Sequence, residues 1–299
     1  MGLVNSSLNF FLPMLPKKII RPFAMRYVAG ENEGDALGLV HELNQLDFSA
    51  TLDILGEHSK SVEEAKVITE SYIRLFEVIA DSSLDCNISI KLTHLGLGYN
   101  DKLAEDNLFA LMETAEKTGN FLRIDMENTP FTDTTLSLYK KCKSKYVGVG
   151  PVLQAYLRRS ETDLNRLISH NLNVRICKGI YLEPEELAFH DRKEIRESYI
   201  KLVQTGLSEG AYIGIATHDI YLIDTLETWI ANQAIPKDRY EFQVLYGVPM
   251  GNRMEQLLDD GHKVRYYIPF GDQWYPYAIR RFKENPKIAS YIVRNLFRK

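Results

Sequence analysis

Eight short, apolar, β-branched stretches recur along this chain, at 49–55, 86–92, 120–126, 146–154, 173–178, 211–217, 240–246 and 264–270. The segments between them are long enough for a crossover helix, the connection that parallel strands require. Eight such units predict an α/β fold of one kind, a (β/α)8 TIM-like barrel, whose chemistry gathers at the C-terminal ends of its strands. Nearly every stretch hands over to a polar or charged residue there. These are Glu57, Lys91, Asp125, Gln154, Arg175 with Lys178, Thr217 with His218, Gln243 and Tyr267.

No low-complexity tract, Pro/Gly linker or charge block marks a boundary, so one domain over 1–299 is expected. Residues 1–48 form its N-terminal helical segment, with helices at 17–28 and 33–46, and 49–299 its barrel, with a final helix within 273–297. Segment 61–79 places Val62, Ala65, Ile68, Tyr72, Leu75, Phe76 and Ile79 on one helical face, and Ser61 with Glu64 reads as a capping box. A helix over 251–260 should stop at Gly261.

Lys and Arg number 36 against 40 Asp and Glu, a net charge of -4 that offers nucleic acid no basic field and leaves a small molecule as the expected partner. Cys86, Cys142 and Cys177 are too scattered for a disulfide framework or a Cys-x-x-Cys metal site; buried core thiols in a reducing cytoplasm are expected. His94, Asp125, Glu127 and His218 fall near strand ends, yet no His-x-His or His-Glu-x-x-His spacing is present, and no metal is expected. LGLGYN (95–100) lacks the third glycine of a Rossmann fingerprint. No stretch reaches the ~20 apolar residues of a membrane span. Segment 8–18 is interrupted by Pro13 and Pro16, and is expected to pack on the barrel, with grazing contact to a membrane as the alternative.

In WYPYAIRRFKEN (274–285), Tyr277, Arg280, Arg281 and Glu284 share one helical face. Such a face is either a solvated one or an anion clamp, since paired guanidiniums grip a carboxylate bidentately. Its position after the eighth strand, at the catalytic end of a barrel, favours the clamp. Lys91 closes the run SIKL, and Asp125 on the neighbouring strand is its natural partner; a structural and a catalytic pair both fit. Arg175 and Lys178, three apart on a strand, should face opposite sides.

The succession SIKLTHLGLG (89–98), RIDMENTP (123–130), VLQAYLRR (152–159), VRICKGIY (174–181), ATHD (216–219), YEFQVLYG (240–247) and RYYIPFGDQWYPYAIRR (265–281) resembles the proline dehydrogenase family, in its short monofunctional bacterial form. The resemblance runs in the family's order from about residue 25 to the end. It implies a distorted barrel with N-terminal helices and a C-terminal helix over the active site. It also implies oxidation of L-proline to Δ1-pyrroline-5-carboxylate with hydride transfer to non-covalent FAD, and electrons passed on to a quinone.

By motif position, Asp125 and Arg175 would be central to catalysis, and Arg280 and Arg281 would hold the proline carboxylate. Lys91, Tyr181, Tyr267, Tyr277 and Leu245 would contact substrate, Glu57 would pair with Arg280 to close the site, and Glu284 would orient the clamp. Asp125, Met126, Gln154, Arg175, Cys177, Lys178, Gly179, Thr217 and His218 would surround FAD. Cys177 and Ile180 stand where the family more usually has Val and Ala. A cytoplasmic protein, with peripheral contact to the inner face of the membrane left open, follows from the same resemblance. The rivals are another flavin barrel acting on a different small acid, and a barrel kept only for binding.

Overall fold

The computed structural model describes residues 17–168 and 171–284. Eight strands, β1 (Ser49–Ile54), β2 (Cys86–Ile90), β3 (Leu122–Ile124), β4 (Val149–Gln154), β5 (Asn173–Cys177), β6 (Tyr212–Ala216), β7 (Tyr240–Leu245) and β8 (Val264–Phe270), run parallel and close in chain order. The seam pairs β1 with β8 from Ser49–Arg265 to Ile54–Phe270. Helices α1 (Lys17–Ala24) and α2 (Glu33–Asn44) precede the barrel. After the successive strands come α3 (Val62–Asp81), α4 (Asp101–Lys117), α5 (Thr132–Lys143), α6 (Ser160–Leu167), α7 (Arg192–Ser208), α8 (Ile220–Asn232), α9 (Arg253–Asp259) and α10 (Trp274–Glu284).

Period-two alternation decides what each barrel face holds. Leu52, Ile88, Ile90, Leu122, Ile124, Val174, Ile176, Phe242 and Val264 are buried in one core with Tyr72 and Leu75 of α3, Leu108 of α4 and Tyr199 of α7. Their neighbours point the other way, into a barrel interior that is polar rather than filled by branched aliphatics. Arg175 on β5 hydrogen-bonds Ser89 on β2 and Gln243 on β7, strands that are not adjacent, so these side chains meet across the interior. Charges so deep are tolerable only when compensated, and Asp125 sets a carboxylate oxygen 2.8 Å from Arg175.

Several local expectations need adjustment. The first helix ends at Ala24 rather than 28, because the chain is drawn onto the end of β8, where Ala29 N–H donates to Pro269 O at 3.0 Å. Strands β3 and β4 are shorter than 120–126 and 146–154; Tyr146 folds back to donate from its hydroxyl to Asn120 O at 2.6 Å, holding the approach to both as loop. Ser61 caps α3 by accepting from Glu64 N–H at 3.1 Å, but the Glu64 carboxylate accepts from Lys60 N–H at 2.6 Å, so the reciprocal half of the box falls one residue early. Gly261, at φ 79°, lies just beyond α9 in the left-handed conformation that favours glycine.

The last helix has a core of its own. Trp274, Tyr277, Ala278, Ile279 and Phe282 of α10 pack with Ile20 and Ala24 of α1, with Tyr27 and Val28, and with Leu55 from the end of β1. The Tyr27 ring meets Phe282 edge-on, centroids 6.3 Å apart.

Candidate active site

The strand ends, the loop after β5 and helix α10 enclose a cavity of about 510 Å³, within the ~300–1,000 Å³ range of small-molecule sites. The sequence-predicted residues meet around it. Glu57 follows β1, Lys91 β2, and Asp125 with Met126 β3; Gln154 ends β4. Arg175, Cys177, Lys178, Gly179 and Tyr181 come from β5 and its loop, Thr217 and His218 from beyond β6, Leu245 and Tyr267 from β7 and β8. Tyr277, Arg280 and Arg281 project from α10, while the Glu284 side chain lies outside the described residues.

At the floor, Arg175 Nη1 lies 2.8 Å from Asp125 Oδ1 and 3.0 Å from Ser89 Oγ, and its Nε donates to Gln243 Oε1 at 2.6 Å. The Tyr267 hydroxyl donates to the other Asp125 oxygen at 2.8 Å. Burial pushes the Asp125 carboxyl upward, but Arg175 and then Lys91 outweigh it and hold the group below its usual range. Arg175 Nη2 is buried with no hydrogen-bond partner among the described residues. Buried donors are seldom left so, and this one belongs to a residue that lines the cavity.

Lys91 corrects the sequence reading. Its Nζ lies 2.8 Å from Asp53 and 3.7 Å from Asp125, so the nearer partner is an aspartate within β1 that the strand-end pattern does not single out. Burial alone would lower the Lys91 pKa, yet Asp53, Tyr267 and Asp125 raise it, keeping the amine an ammonium. Asp53 moves the other way, because burial dominates it and raises its carboxyl. Its parity with Lys91 and Asp125 could have revealed it, since an acid inside an apolar strand requires a cationic partner.

Lys178 also departs from expectation. The strand ends at Cys177, so the opposite-side rule does not extend to Lys178, and both Arg175 and Lys178 line the cavity. Lys178 Nζ lies 2.6 Å from Asp219, which Arg196 grips at 2.6 Å from α7. Burial opposes ionisation of Asp219, but these two cations hold it well below the carboxylate range. Burial, reinforced by Lys178 and Arg281, lowers the His218 pKa. Cys86 and Cys142 are buried as expected, whereas Cys177 is half-buried and faces the cavity.

On the roof, Arg280 Nη1 bridges both Glu57 oxygens at 3.0 and 3.2 Å. The Arg281 guanidinium is buried and stands over the Tyr277 ring, 5.3 Å from its centroid. Among the described residues no cluster of three or more His, Cys, Asp or Glu is arranged as metal ligands would be, and no helix is long and apolar enough to cross a membrane.

The chain as a whole is similar to known proteins. The family model described as Proline dehydrogenase covers residues 36–294. Proline dehydrogenase 1 of Bacillus subtilis subsp. natto is 34% identical over 276 residues, covering 92% of this chain and 91% of that protein. Proline dehydrogenase of Deinococcus radiodurans is 34% identical over 281 residues, covering 92% and 90%. Among solved structures, proline utilization A from Bdellovibrio bacteriovorus, inactivated by N-propargylglycine, superposes with a TM-score of 0.83 at 24% identity; it covers 90% of this chain but only 33% of its own length, and so speaks for the fold alone. With the family matched from within α2 to beyond α10, the chain belongs to the proline dehydrogenase family of oxidoreductases.

Proposed function

We propose that this protein oxidises L-proline to Δ1-pyrroline-5-carboxylate with non-covalent FAD and passes the electrons to a quinone. The observation that carries the reading is the presence of two kinds of anion grip in one cavity: adjacent Arg280 and Arg281 on α10, and Arg175 braced by Asp125 with one guanidinium nitrogen left over.

The residues present fit a flavin. Arg175 Nη2 offers a buried donor, and Arg175 and Lys178 make a basic wall suited to a pyrophosphate or to negative charge on a reduced ring, with His218 beside them. Gly179, at φ 106°, brings its backbone against Tyr156, where an added Cβ would lie 2.1 Å from the ring. Bound flavin supplies the hydride acceptor, so the chemistry requires no protein nucleophile.

The chain's own contribution is to hold, orient and dry the substrate. Arg280 and Arg281 take the carboxylate as guanidinium forks, with Glu284 on the same helix to orient them. Tyr181, Tyr267, Tyr277 and Leu245 pack the pyrrolidine ring, while Met126, Gln154, Cys177 and Thr217 complete the flavin's surroundings. Lys91, kept protonated by Asp53 and Asp125, acts as a fixed positive charge rather than as a base. Peripheral contact with the inner face of the membrane, from the cytoplasm, belongs to the same reading.

The purified protein should be yellow, proline should bleach it anaerobically, and a short-chain quinone should restore the colour. Colourless protein that binds no added FAD overturns the assignment. Co-sedimentation with anionic vesicles tests the membrane contact separately.

A further inference from the structure

Below the cavity the barrel interior continues as a single hydrogen-bonded file. Arg265 Nε donates to Glu241 Oε1 at 2.9 Å, and Gln243 Nε2 donates to the same oxygen at 2.5 Å. Gln243 Oε1 then accepts from Arg175 Nε at 2.6 Å. Glu241, Gln243, Arg175 and Arg265 are all at most 5% exposed. Glu241 and Gln243 are two apart on β7, so their side chains share the inward face.

The chemistry of the amide makes this file directional. A carboxylate only accepts and a guanidinium only donates, whereas a glutamine has one end of each kind. With Glu241 on one side and Arg175 on the other, a single orientation of Gln243 satisfies both. Gly214 on β6 leaves the amide its space, since an added Cβ would lie 2.6 Å from Gln243 Nε2. Burial pushes Glu241 upward but Arg265 outweighs it, so the carboxyl is held down to about 2 and stays an acceptor.

We infer that Glu241 is a positioning residue for the reaction: through the amide of Gln243 it fixes the Arg175 guanidinium at the cavity floor, so that Nη1 meets Asp125 and Nη2 is held without a partner among the described residues. Glu241 does not itself line the cavity, and its link to Arg175 runs through Gln243, which does. The inference deepens the flavin reading above, because it concerns the residue that reading sets against the cofactor.

Glu241→Asp keeps the charge opposite Arg265 but withdraws the oxygen from Gln243. Glu241→Leu with Arg265→Met removes both charges together, so no buried ion is left unpaired, and Glu241→Gln with Arg265→Met returns an acceptor without the charge. In the Asp and Leu/Met variants, kcat should fall roughly 10- to 100-fold, as for displaced supporting groups. The absorption maxima and midpoint potential of bound flavin should move with it, and the Gln/Met pair should recover most of the loss.

The Arg175 Nε–H resonance, identified by its loss in Arg175→Lys, should exchange with solvent at least about tenfold faster in the Asp and Leu/Met variants, in protein without added flavin. Wild-type kcat, potential and exchange in either variant that folds would overturn the inference. Recovery absent from the Gln/Met pair would overturn it equally, by making Glu241 a mere counter-ion. If wild-type protein binds no flavin, the functional reading fails while the exchange measurement still judges Glu241.

Discussion

Glu57 and Arg280, 223 residues apart in sequence, are joined at the cavity rim by both carboxylate oxygens to one guanidinium nitrogen, at 3.0 and 3.2 Å. The pair ties the loop after the first strand to the roof helix. A partly exposed pair of this kind is worth at most about 1 kcal/mol, a factor of roughly five. Glu57→Gln should therefore raise KM for proline about fivefold while kcat changes less than about twofold. Steady-state kinetics at constant ionic strength check this; a kcat loss larger than the KM change would place Glu57 in the chemical step instead.

Arg281 is the more deeply buried of the adjacent arginines. Removing one side of a desolvated charge pair costs about 2–5 kcal/mol. Arg281→Met should raise KM for proline by roughly 30-fold or more and leave the flavin spectrum unaltered. A lost flavin spectrum would assign Arg281 to the cofactor.

Tyr267 occupies the cavity with its hydroxyl committed to Asp125 at 2.8 Å, and its ring lies against Arg175, 5.0 Å from the guanidinium carbon. A phenol fixed from both sides leaves little room for a hydroxyl on the substrate ring. The kcat/KM for L-proline should exceed that for 4-hydroxy-L-proline by about 10- to 200-fold, the cost of a misfit small group. Equal values would sink the idea.

His94, half-buried beside the loop that carries Glu57, has its pKa lowered from 6.5 to about 4 by burial and then by Lys91. As pH falls through 6.5 the unfolded chain takes the proton first. Stability therefore drops until about pH 4, below which both states hold it, with a total of no more than roughly 3 kcal/mol. Burial raises Asp53 and Glu127, which act in the opposite sense. The wild type must accordingly be compared with His94→Gln, whose urea midpoint should decline less between pH 7 and 4. Parallel declines would remove His94 from the account.

The barrel was legible because its outward-facing residues are apolar and recur every second position: NISIK and NVRICK state their strands plainly, and their polar ends led to Lys91, Asp125 and Arg175. Less legible was what faces what inside. Asp53, Glu241 and Arg265 lie inside strands, where alternation reveals that a side chain points inward but not which of seven other strands it meets. Lys91 was accordingly matched to Asp125 on the adjacent strand, although Asp53 is nearer. The end of the first helix was hidden for a related reason, since the bond that stops it comes from Pro269, on the last strand.

The joint packing of α1 and α10 ties the segment before the barrel to the helix that follows its eighth strand. Trimming before Val28, or appending a bulky tag close to Lys17, edits the ceiling under which Arg280 and Arg281 hang. Shortening the protein there would alter its affinity for ligand from a segment remote in sequence from the two arginines.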